Sequence, residues 1–324
     1  MDQRQFISSY SFATLVTHTG EIHVSHLNLL MDEEDDSYLY GHLALSNPQI
    51  ADFPKNPKAI AVFSRDAVDG EHQWACYVHG EISIIDDVER KKSILNKLIH
   101  RYEDCKWGIN WEDSRYVEQL RGIVFIAIKI TRVTTQMTQD LQYIAHQNHC
   151  MNMTCTEPEF AQNITYIPKP FYEGNQERLL ACLRTETIAL VIMFNQDDMS
   201  LKYINLVHQQ GLIALKSSID GDAKTLMLFK GPHCYVSPRF YVSKLNVPTW
   251  NYSMVYVQGL SRTHSEEADV GCRVEFEPHA LFGKFKLSQN RSQEDRAGVQ
   301  GHLSRSTEDG ENRVADCMYQ YGNT

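Results

Sequence analysis

Two hydrophobic periods alternate along this chain. In "FATLVTHTGEIHVSHLNLL" the residues Phe12, Leu15, Ile22, Val24 and Leu27 flank the turn His18-Thr19-Gly20, a pattern for two short strands joined as a hairpin. "SYLYGHLA" and "AIAVFSR" read as further strands, with Asn47-Pro48 and Asn56-Pro57 punctuating the link. "WACYVHGEISIID" alternates from Trp74 to Ile84 and reads as strand again. The period then changes to helical: Val88, Ile94, Leu95, Leu98 and Ile99 follow Asp86 or Asp87 as the cap. A second short helix, "WEDSRYVEQL", leads into the apolar strand "GIVFIAIKITRV".

Between about Thr134 and Ile164 the periodicity stops, and the stretch reads as a linker with a short helix around Leu141 to Ala145. A helix and strand in "NQERLLACLRTETIALVIMFN" restart the pattern. The strands "LKYINLVHQ", "LIALKSS", "TLMLFKGPHCYVSP" and "NYSMVYVQGLSR" follow. Antiparallel strands with few crossover helices suggest two small, partly closed barrels. The expected organisation is a first unit over 1–135 with an inserted helix pair, a linker over 136–164, and a second unit over 165–324.

Composition narrows the functional classes. The chain has 324 residues, enough for two domains with cores of their own. Its formal charge is −10, from 31 Lys and Arg against 41 Asp and Glu. A net negative surface repels phosphate backbones, which disfavours nucleic acid as a partner. No apolar run approaches the length of a membrane span or a signal peptide. Eight dispersed cysteines suit a reducing compartment, so a cytoplasmic protein without a membrane partner is expected.

The candidate chemistry lies in a few short phrases. In "FKGPHCYVSPRFY", Gly231-Pro232 reads as a turn, and His233, Tyr235 and Ser237 fall on alternate positions of one strand face. That face is either a solvated edge or the wall of a polar ligand site. "VPTWNY" sets Trp250 and Asn251 side by side, suited to a planar ring with polar edges, although Trp250 could equally plug a barrel end. "GKFKLSQNRSQEDR" puts Lys284 and Lys286 on one face, then Ser288 and Arg291. A helix starts near Ser292, with Glu294 and Asp295 in its first turn. Such a set can hold a phosphate, or it can be solvated basic surface. In "YGHLALSNPQI", His42 ends a strand and Asn47 can simply bond its own backbone. His146, His149, Cys150 and Cys155 match no standard metal-site spacing, and no zinc site is expected there. No glycine-rich nucleotide loop, Gly-x-Ser-x-Gly elbow or committed general base is found, so no catalytic residue is assigned.

Together these phrases resemble the PaiB-type family of FMN-binding negative transcriptional regulators. Its members have a split β-barrel similar to that of pyridoxamine-phosphate oxidase. The carriers are "GHLALSNPQI", "FKGPHCYVSPRFY", "VPTWNY" and "GKFKLSQNRSQEDRAGVQGHL". The resemblance implies a mainly β fold with α: two FMN-binding-type split β-barrels in tandem, packed as an intramolecular pseudo-dimer, with a further homodimer as one option. The family's phrases are divided here. The first unit keeps "GHLALSNP" but lacks the Gly-Pro-His and Lys-Leu-Ser-Gln-Asn phrases, and the second unit shows the converse. One cleft is therefore expected to combine His42 and Asn47 with His233, Tyr235, Ser237, Trp250, Asn251, Lys286, Ser288 and Arg291 around FMN or another small planar anion. The other cleft would be filled by Trp74 or Tyr77. The implied function is flavin binding with a regulatory or weak redox role. The alternatives are a DNA-binding regulator and a non-catalytic barrel scaffold.

Overall fold

The computed structural model describes residues 2–32, 35–65, 74–103, 108–137, 139–143, 154–186, 188–208, 222–244, 246–264 and 273–321. They form two compact units: Met1–Met137 with Gln162–Tyr166, and Thr138–Ala161 with Ile167–Thr324. Each is built on one curled, mainly antiparallel sheet, the expected mainly β tandem architecture. Among the described residues no helix is long and apolar enough to cross a membrane.

Unit 1 opens with α1 (Gln3–Ser9) and the hairpin β1 (Phe12–His18) and β2 (Ile22–Asn28). Then come β3 (Leu30–Met31), β4 (Tyr38–Ala44), β5 (Lys58–Ser64), β6 (Trp74–Ile85), α2 (Val88–His100), α3 (Ser114–Leu120) and β7 (Ile123–Met137). The sheet order is β2-β1-β5-β6-β7-β4-β3. The sheet curls until β4 reaches β2, where a Cβ on Gly41 would stand 2.7 Å from Leu29 and 3.0 Å from the Asn28 carbonyl. Strand alternation divides β7 between two cores. Ile126 and Ile128 join Leu15, Leu39, Phe63 and Val78 inside the curl. Phe125 and Ala127 face the other way, under Ile94 and Leu98 of α2 and Leu120 of α3. The Asp87 carboxylate caps α2 by accepting from the Arg90 N–H at 2.7 Å.

Unit 2 contains β8 (Gln139–Tyr143), β9 (Thr154–Cys155), α4 (Pro158–Gln162), β10 (Tyr172–Glu173), α5 (Gln176–Thr185), β11 (Ile188–Phe194) and β12 (Met199–His208). The long strands β13 (Asp222–Val236), β14 (Thr249–His264) and β15 (Arg273–Lys286) follow, then α6 (Gln293–Leu303) and α7 (Asp309–Tyr321). The order is β10-β15-β14-β13-β11-β12-β8, with β9 also on β15. One sheet face, with Val191, Met227, Val236, Val255, Leu281, Phe285 and Leu287, packs against Leu179 of α5, Val299 and Leu303 of α6, and Val314 and Met318 of α7.

Several expectations need correction. The stretch read as a linker is partly ordered: β7 runs to Met137, β8 pairs in parallel with β12, and β9 pairs in parallel with β15. Gln139–Tyr143 is strand where a short helix was expected. Gly231-Pro232 is no turn, because β13 continues through it with a register shift between Lys230 and His233. A bulge lets proline stay in a strand without removing a ladder hydrogen bond. Gly231 packs closely there, since a Cβ would come within 2.3 Å of the Ser253 hydroxyl and make it turn aside. Within unit 1, Trp74 at the start of β6 is exposed, whereas Tyr77 is buried and donates to Gln136 Oε1 at 3.0 Å. The strand expected in "LIALKSS" lies outside the described residues, as do His146, His149 and Cys150. Cys155 sits in β9.

Candidate functional site

The register of the three long strands brings most of the candidate residues together at one end of unit 2. His233 pairs with Tyr252, Tyr235 with Trp250, and Tyr252 with Lys286. Cross-strand partners share a face, so these side chains and Lys284 line the face opposite the unit 2 core. Ser237 does not join them. It follows the strand as the cap of a short 3-10 helix, Pro238–Phe240, and its hydroxyl accepts from the Arg239 N–H at 3.2 Å. The indole of Trp250 lies 5.5 Å from the His233 ring and 6.5 Å, edge-on, from that of Tyr235.

The cationic groups are held at the end of β15. The Lys286 ammonium donates to the Thr249 hydroxyl at 2.6 Å. Burial, and then the charge of Arg291, pull the Lys286 pKa down to about 8. Burial and then Lys286 pull Lys284 to about 7, and its amine lies 5.6 Å from the centre of the Tyr252 ring. Arg291 stands on the turn leaving β15. Its backbone N–H donates to the Ser288 carbonyl at 3.0 Å, its Nη1 to Asn246 Oδ1 at 3.0 Å, and its guanidinium lies 5.0 Å from the Tyr241 ring centre. Among the described residues neither Lys286 nor Arg291 forms an ion pair.

Ser288 and Asn251 meet on the core side of the strand ends. Both are buried, with the serine hydroxyl 3.0 Å from Asn251 Nδ2 and 3.2 Å from Oδ1. Asn251 Nδ2 also lies 3.5 Å from the Met318 sulfur on α7. Ser288 has φ 65, a left-handed backbone that costs a residue with a side chain about 1 kcal/mol. Replacing it separates the two effects. Ser288→Ala loses the hydroxyl alone and keeps the strain, while Ser288→Gly loses the hydroxyl and relieves the strain. Denaturant titration should find the alanine variant less stable than the glycine variant by about 1 kcal/mol.

The "SQED" phrase fastens the site from behind. Ser292 caps α6 by accepting from the Asp295 N–H at 3.2 Å. The Asp295 carboxylate accepts from the N–H groups of Val242 and Ser243, both at 2.8 Å, and from the Ser243 hydroxyl at 2.5 Å. These bonds and the nearby Arg291 outweigh burial and hold its carboxyl below the usual range. Asp295 thus ties the loop that carries Tyr241 and Asn246 to the turn that carries Arg291.

His42 and Asn47 lie in unit 1. His42 is on β4, its ring 5.6 Å from that of Phe125. Asn47 caps a 3-10 helix, Pro48–Asp52. Its Oδ1 accepts from the Gln49 N–H at 3.0 Å and its Nδ2 donates to the Ser25 hydroxyl at 2.8 Å. The same short helix supplies a cluster absent from the sequence reading. Asp52 is 2% exposed and accepts from the Thr17 hydroxyl at 2.9 Å and from His23 Nδ1 at 2.6 Å. Buried Gln49 donates to the Leu15 and His23 carbonyls and to Thr17. Thr17 and His23 are direct cross-strand partners. The hairpin register therefore contained the signal that both face one acceptor.

The family model described as "Putative FMN-binding domain" matches residues 1–68 and 165–275, more than half of the 324 residues. The chain belongs to this FMN-binding domain family. The matched stretches include His42, Asn47, His233, Tyr235, Ser237, Trp250 and Asn251, and end before Lys286, Ser288 and Arg291. A Bacillus subtilis (strain 168) relative, "Protease synthase and sporulation protein PAI 2", is 53% identical over 106 residues, 29% of this chain and 51% of that protein. The chain thus spans about half the length of this curated relative. Among solved structures, a FAD-binding protein from Mesorhizobium loti is 17% identical over 42% of this chain and 91% of its own, with a TM-score of 0.30. General Stress Protein 26 from Bacillus anthracis is 19% identical over 43% of this chain and 99% of its own, with a TM-score of 0.30.

Proposed function

We propose that the chain binds flavin mononucleotide and that Lys286 and Arg291 hold its phosphate. The observation behind this is a pair of neighbouring, partly buried cations that form no ion pair among the described residues, one of them a lysine with its pKa drawn down to about 8. Such an arrangement is relieved by a dianionic ligand, because an opposing charge restores the proton that burial and repulsion disfavour. The donor set fits a phosphate monoester: an ammonium, a guanidinium and the hydroxyl of Thr249. Trp250 and Tyr235 offer aromatic faces beside it, suited to a planar ring. The six side chains His233, Tyr235, Trp250, Tyr252, Lys284 and Lys286 include two amines and no carboxylate, which favours an anion. A bound flavin would supply one- and two-electron redox chemistry, the protein supplying position and charge.

Titration of the protein with FMN, followed through flavin absorbance and fluorescence, tests the reading. Saturable binding by the wild type, weakened about tenfold or more in Arg291→Ala, is the expected result. An absence of binding in the wild type removes the flavin reading. Unchanged affinity in the variant removes Arg291 from the phosphate role.

A further inference from the structure

The helices α5 and α7 are joined by two contacts spaced two helical turns apart. Glu186, at the C-terminal cap of α5, accepts from Arg313 Nη2 of α7 at 2.8 Å. Two turns earlier in α5, the Arg178 guanidinium lies 5.6 Å from the ring centre of Tyr321, two turns later in α7. Residue numbers rise along one helix as they fall along the other, so the helices run antiparallel and in register. Midway between these contacts stand Cys182 and Cys317. Side chains four residues apart share a helix face. Cys182 is thus on the face of Arg178 and Glu186, and Cys317 on the face of Arg313 and Tyr321. Both are free, partly buried thiols packed against the unit 2 core.

The electrostatics agree with this juxtaposition. Burial first, then the Cys317, Glu186 and Glu173 charges, push the Cys182 thiol up to about 12. Burial raises Cys317 to about 11, Arg313 opposing it and Glu186 and Asp316 adding to it. Tyr321 is raised by burial and by both cysteines.

We propose that Cys182 and Cys317 are a redox pair that forms a reversible disulfide on exposure to a peroxide, stapling α5 to α7. The thiolate of one cysteine attacks a peroxide oxygen, the O–O bond breaks, and hydroxide leaves, giving a sulfenic acid. The second thiol attacks that sulfur, the S–S bond forms, and water leaves. In sum, two thiols and one hydrogen peroxide give one disulfide and two waters, and a dithiol reverses the reaction. The staple has a consequence for unit 2, because α7 carries the Met318 sulfur that backs Asn251 and, through it, Ser288. It does not depend on the flavin reading.

The full chain is treated with hydrogen peroxide at pH 7 and pH 9, alkylated, digested without reduction and mapped by mass spectrometry. The expected product is an intrachain peptide pair joined through Cys182 and Cys317 and lost with dithiothreitol. It should form about tenfold faster per pH unit, because the attacking species is a thiolate well below its pKa. Cys182→Ser and Cys317→Ser should each abolish the cross-link. Recovery of both cysteines as free thiols while Cys76, Cys155 or Cys234 oxidises would overturn the proposal. So would linkage of either one to another cysteine, within or between chains, or its oxidation to sulfinic acid without any cross-link.

Discussion

Asp52→Ala should lower the stability of the protein by about 3 kcal/mol, the cost of removing a shared acceptor from a buried polar cluster. Asp52 is the charged fastening between the β1–β2 hairpin and the 3-10 helix Pro48–Asp52, through the Thr17 hydroxyl and the His23 ring, beside the bonds made by Gln49 and Asn47. Thr17 is fully buried, so its hydroxyl has no water to replace the lost carboxylate. Asp52→Asn keeps the shape and one carboxamide oxygen, and should cost about 1 kcal/mol. The two variants also differ from the wild type in acid. Burial alone would raise the Asp52 carboxyl. The hydrogen bond and charge of His23, the Thr17 hydroxyl and the charge of Lys55 outweigh it, and the net pKa lies below 3.8. A carboxyl depressed by folding contributes stability that is fully present above its unfolded pKa and lost as the pH falls through the folded one. Thermal unfolding followed by circular dichroism should therefore show the gap between wild type and Asp52→Asn closing below about pH 4. A gap independent of pH, or no gap at neutral pH, would show that Asp52 is not the fastening.

Some of this organisation was readable in the sequence and some was not, for reasons that lie in the range of the interactions. The β1–β2 hairpin, the Asp87 cap and the Asn47 bond to its own backbone are local, and their residue types declare them. Lys284 and Lys286 fall on one face because strand alternation is also local. The parallel pairing of β8 with β12 is a different matter: "QDLQY" has no apolar alternation, and only a partner some sixty residues away makes it a strand. Gly231-Pro232 carries ordinary turn chemistry, yet the Ser253 side chain and the bulge in β13 decide its conformation. In α7 the buried residues Val314, Ala315 and Met318 keep helical spacing, a local signal that the sequence itself carries. Asp52 had nothing in its neighbourhood to mark it, since its partners come from the hairpin.

Lys286→Met should reduce FMN affinity roughly 10- to 100-fold at pH 7 while leaving riboflavin, which lacks the phosphate, nearly unaffected. The reasoning follows the proton. In the free protein Lys286 titrates at about 8, pulled down by burial and then by Arg291, so its charge is present at pH 7 and lost as the pH rises through that value. A phosphate dianion binds the charged form, so above pH 8 each binding event must also capture a proton. FMN affinity should then fall by up to about tenfold per pH unit between 8 and 10, and riboflavin affinity should stay flat. In Lys286→Met the fall should disappear. Arg291→Ala provides the complementary signature. It removes one phosphate contact and also the repulsion acting on Lys286, so the lysine becomes easier to protonate and the fall should start at a higher pH. A variant that merely loosened the fold would weaken FMN and riboflavin alike and leave the pH profile in place. Isothermal titration of the three proteins with both flavins from pH 7 to pH 10 makes the distinction, and equal affinities for FMN and riboflavin in the wild type would remove the phosphate role from Lys286 and Arg291 together.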